Sequence, residues 1–519
     1  MKIFKLFMIF ACIIQSLVQA ACIPGTVQTI PNSPFATRVN PVEVAYSPIV
    51  LGNLFAAIAN NGGNNASVYS VNQSTGEFTE ISGSPFSAGA NPTGIAFSPV
   101  VSGNLFAAIS NFTDNTVSVY SVDQNTGAFT QVSGSPFATG QKPESIAFSP
   151  VVSGNLFAAV PNSNNATVSV YSVNQSTGSL TSVGTFGTGL NPQFIAFSPV
   201  VSGNLFAAVT NFDDNTVSVY LVNQSTGAFT QVAGSPFLTG VTPQTVVFSP
   251  EVSGNLFAAV TNSSNFDNTV SVYMVNQSTG SFIPVGTFST NTQPTGIAFS
   301  PVVSGNLFAI VTNFESDNIS VYYVDPATGL FILVDVVGTG VNPEGVAFSP
   351  LVSDNVFAAV ANYSSNNVSV YNVCVGNILS LLRYNNCIAH TITGTAQADG
   401  FSSKGTALQI TGCLAYDCES NGFNHDATCI ASLKSCQAAY NGVGFLVASL
   451  NSLIGSCVAF ANKSVGFDVV PATSIYYSFA SQNGTNNYVS AVNVQNADTQ
   501  IDNTVSGLTG SFAGANLFM

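Results

Sequence analysis

One phrase of the sequence, SPVVSGNLFAAV, recurs with small changes at nearly constant intervals and constrains the fold more than any other feature. Its proline stands at Pro48, Pro99, Pro150, Pro199, Pro250, Pro301 and Pro350. The intervals are 51, 51, 49, 51, 51 and 49 residues. A period of about 50 residues without a helical pattern is typical of a β-propeller, in which each repeat forms a four-stranded blade. The sequence therefore predicts an all-β chain that contains a seven-bladed β-propeller.

Each repeat contains four short stretches with the composition of β-strands. In the second copy they cover residues 93–98, 104–110, 116–122 and 128–132. The third stretch alternates only imperfectly between apolar and polar residues, as expected for a strand packed between neighbouring blades. Asn and Gly follow it and suit a tight hairpin that leads into the fourth strand.

The two ends of the repeat region complement each other. Residues 25–30, GTVQTI, align with residues 127–132, GAFTQV, which form the fourth strand of an intact repeat. The seventh repeat stops after its third strand at residue 373. We therefore predict that the N-terminal strand completes the last blade, because this closure leaves no open sheet edge.

The same alignment predicts a disulfide bond between Cys22 and Cys374. Cys374 takes the position of Asp123 in the hairpin, and Cys22 takes the position of Gln124. These positions are neighbours in an intact blade, so the two thiols should lie within disulfide reach. An alternative for Cys22 is lipid attachment after a signal peptide, although Gln19 stands where the lipoprotein motif has an aliphatic residue.

Residues 1–21 have the pattern of a secretory signal, with two lysines followed by a short apolar run and small residues. The run is too short to span a bilayer, and we expect no transmembrane segment after signal removal. The mature protein is expected to be secreted, periplasmic or on the cell surface. The full sequence has a formal net charge of −15, and its acidic balance argues against a nucleic-acid partner.

The repeats resemble a known family. The run AVTN at residues 208–211, followed by NTVSVY at 215–220, resembles the YVTN-type propeller repeat. The phrase GSPFATG at 134–140, followed by Lys142 and a proline, is similar to the lactonase-like seven-bladed propellers. The absence of Trp argues against the WD40 and kelch families. The resemblance covers the propeller, assigned to residues 22–374.

The resemblance implies either an enzyme or a binding scaffold. Catalytic members of the lactonase-like group use a polar cluster with His and Arg at the central cavity. This propeller has no His, and its only cations are Arg38 and Lys142. Acid–base chemistry would then require paired carboxylates. We therefore expect an exported or cell-surface protein of the adhesion type that binds a glycan or a surface protein, with no catalytic residues and no cofactor. The alternatives are a lactonase-like hydrolase and a β-helix enzyme that cleaves polysaccharides.

A ring of residues at the start of the innermost strands is the candidate ligand site. These residues follow the linker proline of each repeat: Val42, Thr93, Glu144, Gln193, Gln244, Thr295 and Glu344. We expect Glu144, Gln193, Gln244 and Glu344 to bind a ligand through hydrogen bonds at the channel mouth. The alternative explanation is that these residues are polar only because the first residue of each innermost strand is exposed to solvent.

The loops between second and third strands carry carboxylates beside Asn: Asp114, Asp213, Asp214, Asp267, Glu315 and Asp317. Such groups can hold Ca²⁺. Asp and Asn are also ordinary turn formers, and no loop has the spacing of an EF-hand, so no metal site is predicted. An Asn ends the second strand of every repeat. We expect its side chain to cap the same loops.

After a linker or cap at residues 375–384, the chain changes to a second repeat. Gly-Phe pairs begin at 400, 422, 444 and 466, which is a period of 22 residues. The pattern is similar to the right-handed parallel β-helix family and predicts such a domain at residues 385–493, followed by a cap or tail at 494–519.

Stacked coils would bring the cysteines of this second domain together as small core residues, and the pairing of these thiols is left open: Cys387, Cys413, Cys418, Cys429, Cys436 and Cys457. The two histidines, His390 and His425, lie at expected surface turns.

Overall fold

The computed structural model describes residues 25–264 and 267–375 in full, together with the backbone of short strands between 382 and 518. Two compact units are present, and Gly25–Val375 forms one of them. This unit consists of seven antiparallel sheets, as the sequence predicts. None of the helices in this described part is long and apolar enough to cross a membrane.

Each of the first six blades follows the chain from its innermost to its outer strand. In blade 1 the strands are Pro41–Tyr46, Phe55–Asn60, Asn65–Val71, Phe78–Glu80 and Phe86–Ser87. In blade 2 they are Pro92–Phe97, Phe106–Asn111, Thr116–Val122, Phe129–Gln131 and Phe137–Ala138. In blade 3 they are Ala147–Phe148, Phe157–Asn162, Thr167–Val173 and Leu180–Gly187.

Blades 4 to 6 repeat this order. The strands of blade 4 are Pro192–Phe197, Phe206–Asn211, Thr216–Val222, Phe229–Gln231 and Phe237–Leu238. Those of blade 5 are Pro243–Phe248, Phe257–Asn262, Thr269–Val275 and Phe282–Ser289. Those of blade 6 are Pro294–Phe299, Leu307–Asn313, Asn318–Val324 and Phe331–Gly338. Short 3₁₀ turns cover Ser163–Asn165 and Phe314–Ser316.

Blade 7 is built from both ends of the propeller. Its first three strands are Pro343–Phe348, Val356–Asn362 and Asn367–Val373, and its outer strands are Val27–Thr29 and Phe35–Ala36. Val27 pairs with Val373, and Thr29 pairs with Tyr371. The N-terminal strand therefore closes the ring where the sequence predicts it.

The closure also reproduces the packing of an intact hairpin. In blade 2, Gly127 has a positive φ, and a Cβ at that position would lie 2.6 Å from the Phe55 ring of the preceding blade. Gly25 stands in the same relation to Phe308, with φ at +87° and a Cβ distance of 2.7 Å. The N-terminal segment thus begins with the turn glycine that the missing hairpin would have supplied.

Cys374 lies at this junction. Its N–H donates to the Thr26 carbonyl at 2.9 Å, and its own carbonyl accepts from the Gly25 N–H at 2.8 Å. Cys374 is disulfide-bonded. The predicted partner Cys22 lies outside the described residues, so the Cys22–Cys374 pair stays a prediction.

The core lies between neighbouring blades. One Phe at the start of each second strand is almost fully buried: Phe55, Phe106, Phe157, Phe206, Phe257, Phe308 and Phe357. Second and third strands are buried on both faces, so alternation is weak in both. Each blade therefore buries its apolar faces only by packing against its neighbours.

From residue 382 onwards, short strands pair in parallel in three sheets. The first sheet contains Leu382–Asn385, Leu408–Thr411, Ala431–Lys434, Leu453–Gly455, Ser474–Tyr476 and Asn493–Gln495. The second contains Ile388–His390, Leu414–Tyr416, Gln437–Ala439, Val458–Phe460, Phe479–Ser481, Gln500–Asp502 and Asn516–Phe518. The third contains Phe401–Ser403, Asn421–His425, Val443–Val447, Val465–Val469 and Asn486–Val489. The handedness and the predicted packing of the cysteines lie outside what is described, and the β-helix stays a prediction.

Candidate functional site

A cavity of about 310 Å³ lies at the end of the propeller where the seven innermost strands begin. It is lined by all seven ring positions predicted from the sequence: Val42, Thr93, Glu144, Gln193, Gln244, Thr295 and Glu344. The four predicted ligand-binding residues among them are half-buried. The structure therefore brings the predicted ring together around one opening, while their role in binding stays a prediction.

Hydroxyl groups hold the ring residues in place from the preceding blade. Thr210 Oγ1 donates to the Gln244 carbonyl at 2.8 Å, and Thr312 Oγ1 donates to the Glu344 carbonyl at 2.5 Å. Thr261 Oγ1 does the same for Thr295 at 2.9 Å. Each bond joins a second strand to the innermost strand of the next blade. The sequence interpretation did not identify this contact, which depends on the packing of two blades.

The linkers that lead to the ring are held by the Asn that ends each second strand. Asn211 Oδ1 accepts from the Gly189 N–H at 2.9 Å, and Asn211 Nδ2 donates to Thr216 Oγ1 and Ser218 Oγ at 3.0 and 2.9 Å. A Cβ at Gly189 would lie 2.7 Å from Asn211 Cγ, so a larger residue would require the linker and Asn211 to move apart. In blade 1, Arg38 takes this position and its bond to Asn60 Oδ1 is longer, at 3.3 Å. The Asn211 side chain therefore joins the linker to the third strand, whereas Asn162 and Asn313 make no side-chain cap bond to the helical turns that follow them.

The carboxylates of the neighbouring loops serve the same linkers. Asp114 Oδ2 accepts from the Ala90 N–H, and Asp214 Oδ2 accepts from the Leu190 N–H, both at 2.7 Å. These bonds support the structural explanation for the acidic loops. No cluster of three or more metal-ligating side chains occurs within residues 25–264 and 267–375.

Glu43 is the main cavity-lining carboxyl that sequence reasoning missed. It follows the ring position Val42 in blade 1 and lines the same cavity as Glu344. In blade 7 the corresponding position is Gly345, where a Cβ would lie 3.0 Å from the Glu43 carboxyl carbon and 2.7 Å from the Val42 carbonyl oxygen. The missing side chain at Gly345 therefore leaves space for the Glu43 carboxyl group. Comparison of the residue one place beyond the ring in all seven repeats could have shown this exception.

Glu144 lies in a locally distorted blade. Its N–H donates to the carbonyl of Pro161 at 3.1 Å, but Pro161 has no N–H to return a ladder bond. The innermost strand of blade 3 is consequently reduced to Ala147–Phe148, shorter than the predicted pattern of about six residues for this strand. Glu144 therefore lies in the segment that precedes the innermost strand of blade 3 and not within the strand itself.

The three cavity carboxyl groups have raised pKa values. Burial raises the pKa of Glu43 to about 8, opposed by a hydrogen bond to the Val44 backbone and assisted by the charge of Glu344. Burial also raises the pKa of Glu344 to about 8. The pKa of Glu144 is raised to about 7 by burial, against the opposing effects of Ser163 and Lys142. These groups keep some exposed surface, but the narrow channel limits their solvation by bulk water.

These shifts predict that the propeller loses stability as the pH rises. Glu43 and Glu344 bind protons more tightly when folded, so their favourable contribution is complete below their usual pKa of 4.5 and is lost as pH rises through about 8. We expect the melting temperature to fall by several degrees between pH 5 and pH 9. Thermal unfolding of the double variant Glu43→Gln/Glu344→Gln should show a flatter pH dependence.

Glu251→Gln is the matched control, because Glu251 is exposed on the turn between the first and second strands of its blade. It should retain the pH dependence of the wild-type protein. An identical slope in the double variant would contradict the assignment of the raised pKa values to these two carboxyls.

Comparison with known proteins identifies the family of the chain. A sequence model described as "Lactonase, 7-bladed beta-propeller" matches residues 52–248 and 214–341, which together cover more than half of the chain. The chain belongs to this lactonase family. A comparison with curated protein sequences gives no significant match.

Solved structures similar to this lactonase-family chain include two putative 6-phosphogluconolactonases. The one from Bacteroides uniformis is 21% identical with a TM-score of 0.48, covering 60% of this chain and 88% of its own. The one from Bacteroides fragilis is 17% identical with a TM-score of 0.49, covering 66% and 91%. A periplasmic gluconolactonase from Pseudomonas aeruginosa is 23% identical with a TM-score of 0.46, covering 58% and 86%.

The site of this lactonase-family propeller differs from the His and Arg cluster that the resemblance implies. The described lining contains three carboxyl groups, Glu43, Glu144 and Glu344, and no His, Arg or Lys. Gln193 and Gln244 add amide donors and acceptors to the same wall. The arrangement can therefore exchange protons near neutral pH and donate hydrogen bonds, which is the chemistry of general acid–base catalysis.

Proposed function

We propose that the channel mouth hydrolyses a lactone, with Glu43 and Glu344 as the acid–base pair. The observation that carries the proposal is the presence of both carboxyl groups in one cavity, each with a pKa of about 8. Their charges interact, so the pair releases its two protons in separate steps and holds one proton between the two carboxyls at a pH around 8. One ionised and one protonated carboxyl are the two forms that ester hydrolysis uses.

The proposed reaction follows from this shared proton. The ionised carboxylate accepts a proton from water as its oxygen attacks the lactone carbonyl carbon. The bond between that carbon and the ring oxygen then breaks, and the protonated carboxyl gives its proton to the departing ring oxygen. The product is an open-chain hydroxy acid, and the pair again holds one proton in total.

Gln193 and Gln244 are proposed to position the substrate. Their amide N–H groups can donate to the carbonyl oxygen as negative charge develops on it, and their amide oxygens can accept from substrate hydroxyls. Glu144, with a pKa of about 7, is proposed as a further hydrogen-bonding group of the same wall. The ligand-binding residues inferred from the sequence thus keep a place in the proposal.

Family membership supports hydrolysis better than the adhesion-type role expected from the sequence. Export of the chain, binding of a glycan or surface protein, and a β-helix at residues 385–493 remain further proposals. Parallel pairing of the strands between 382 and 518 supports the last of them. Polysaccharide cleavage has no support from the described residues.

A lactone hydrolysis assay on the purified full-length mature chain tests the proposal. Replacement of Glu344 by Gln should lower kcat by about 100-fold, because an amide can neither accept nor deliver the proton. The same change should lower the pKa of Glu43, because it removes the neighbouring negative charge, and should shift the pH profile to lower pH. Glu251→Gln, which makes the same chemical change on an exposed turn, should leave kcat unchanged.

An unaltered rate in a folded Glu344→Gln protein would show that this carboxyl takes no part in the reaction. Absence of lactone hydrolysis by the wild-type chain, tested across several ring sizes and substituents, would contradict the proposed function as a whole. The displacement of the pH profile separates a chemical role from a structural one, since loss of folded protein lowers activity equally at every pH.

A further inference from the structure

The charges of the propeller are unevenly distributed around the candidate site. Residues 25–375 contain sixteen Asp and Glu residues and two cations, Arg38 and Lys142. Three of the carboxyls, Glu43, Glu144 and Glu344, line the cavity, and neither cation does. A ligand in this cavity therefore meets acidic groups and neutral amides.

Both cations of the propeller have partners elsewhere. Arg38 forms an ion pair with Glu80, with a separation of 2.8 Å between guanidinium nitrogen and carboxyl oxygen. Lys142 is exposed, and its Nζ lies 5.4 Å from the centre of the Phe112 ring. Neither side chain lines the cavity, although the Lys142 charge lowers the pKa of Glu144 from outside the lining.

An anionic substituent would be disfavoured at this site. Sites that bind phosphate use Arg or Lys side chains, or backbone N–H groups at the start of a helix, to compensate the loss of hydration. The described lining offers no such cation, and the helical turns near it, Ser163–Asn165 and Phe314–Ser316, are three residues long. A phosphate would also favour protonation of all three carboxyls and would so remove the ionised base that hydrolysis requires.

A neutral polyhydroxylated ring has no such difficulty. Protonated carboxyl groups donate to hydroxyl or carbonyl oxygens, and the ionised carboxylate accepts from hydroxyl groups. Gln193, Gln244, Thr93 and Thr295 provide further donors and acceptors on the same wall. The cavity volume of about 310 Å³ lies at the lower end of the usual range for small-ligand pockets.

We propose that the cavity takes an uncharged, hydroxylated lactone and discriminates against lactones that carry phosphate. This specificity rests on the proposed lactone hydrolysis at the same site. It identifies the substrate class by charge: a neutral sugar lactone is the substrate, and its phosphate ester is a poor one.

The test compares D-glucono-δ-lactone with 6-phospho-D-glucono-δ-lactone as substrates of the full-length mature chain. We expect kcat/KM to be about 100-fold higher for the neutral lactone, since like charges brought together in a poorly hydrated site are strongly disfavoured. Equal values, or a higher value for the phosphorylated lactone, would overturn the proposed specificity while leaving the proposed hydrolysis intact.

A charge variant tests the electrostatic cause. Gln244→Lys places a cation in the cavity wall. It should lower the ratio of kcat/KM for the neutral lactone to kcat/KM for the phosphorylated lactone about tenfold. Thr230→Lys adds the same charge on an exposed outer strand and should leave the preference unchanged. A folded Gln244→Lys protein with the wild-type preference would contradict the electrostatic explanation.

A binding measurement separates this proposal from the proposed hydrolysis. If neither lactone is hydrolysed, calorimetry with the neutral gluconolactam and its 6-phosphate decides the specificity independently of the reaction. Tighter binding of the neutral lactam supports the charge preference. Equal or tighter binding of the phosphorylated lactam, or binding of neither, overturns it.

Discussion

Replacement of Ile30 by Asp is expected to destabilise the propeller by about 5 kcal/mol, which is enough to unfold many proteins of marginal stability. Ile30 belongs to the N-terminal segment that completes blade 7 and is 5% exposed in the core between blades 7 and 1. The change removes an apolar side chain and introduces a carboxylate that has no partner there. Chemical denaturation followed by circular dichroism measures the loss.

Thr29→Asp is the control for this prediction. Thr29 is exposed at the end of the strand Val27–Thr29, directly before Ile30, and pairs with Tyr371, so the substitution adds the same charge without burying it. We expect a loss below about 1 kcal/mol, as is usual for surface substitutions. Similar stabilities for the two variants would mean that closure by the N-terminal segment contributes little to the stability of the ring.

Replacement of Asn211 by Leu is expected to cost about 4 kcal/mol, because each buried polar group left without a partner costs about 1–3 kcal/mol. Asn211 is fully buried, and its side chain bonds the Gly189 N–H and the hydroxyl groups of Thr216 and Ser218. Leucine preserves most of the volume but satisfies none of these groups. Equilibrium unfolding in urea gives the difference in free energy.

Asn223→Leu provides the comparison. Asn223 is exposed in a hairpin turn, where its side-chain oxygen accepts from the N–H groups of Ser225 and Thr226, both at 3.0 Å. Water can replace this acceptor, so the loss should be about 1 kcal/mol. Equal losses at Asn211 and Asn223 would contradict the claim that burial of the bonding groups determines the cost.

The strands of the propeller were accessible from the sequence because the same pattern occurs seven times. The prediction of a third strand at residues 116–122 in blade 2 agrees with Thr116–Val122, and the other three strands differ by one or two residues at their ends. Blade 3 departs further, because Pro161 cannot provide a ladder bond to the innermost strand. The repeated pattern predicts the strands that a typical blade contains. A substitution in one repeat, such as Pro161, changes the strands of that blade alone.

The candidate site was predictable in position but incomplete in composition. The ring containing Glu144, Gln193, Gln244 and Glu344 lines the cavity because every repeat places the same strand start at the channel. Glu43 was missed because it occupies a position where other repeats have small, hydroxyl-bearing or aromatic residues. Its proximity to Glu344 arises only because blade 7 contacts blade 1 when the ring closes.

The sequence by itself determined the number of blades, the exchange of the last outer strand and the ring of seven residues at the channel mouth, because each follows from a repeated local pattern. The tertiary structure decided the chemistry of the site. Ring closure brings Glu43 next to Gly345 and Glu344, although about 300 residues separate them in the chain. Burial in the shared channel then raises both carboxyl pKa values to about 8, because poor hydration disfavours their charged forms.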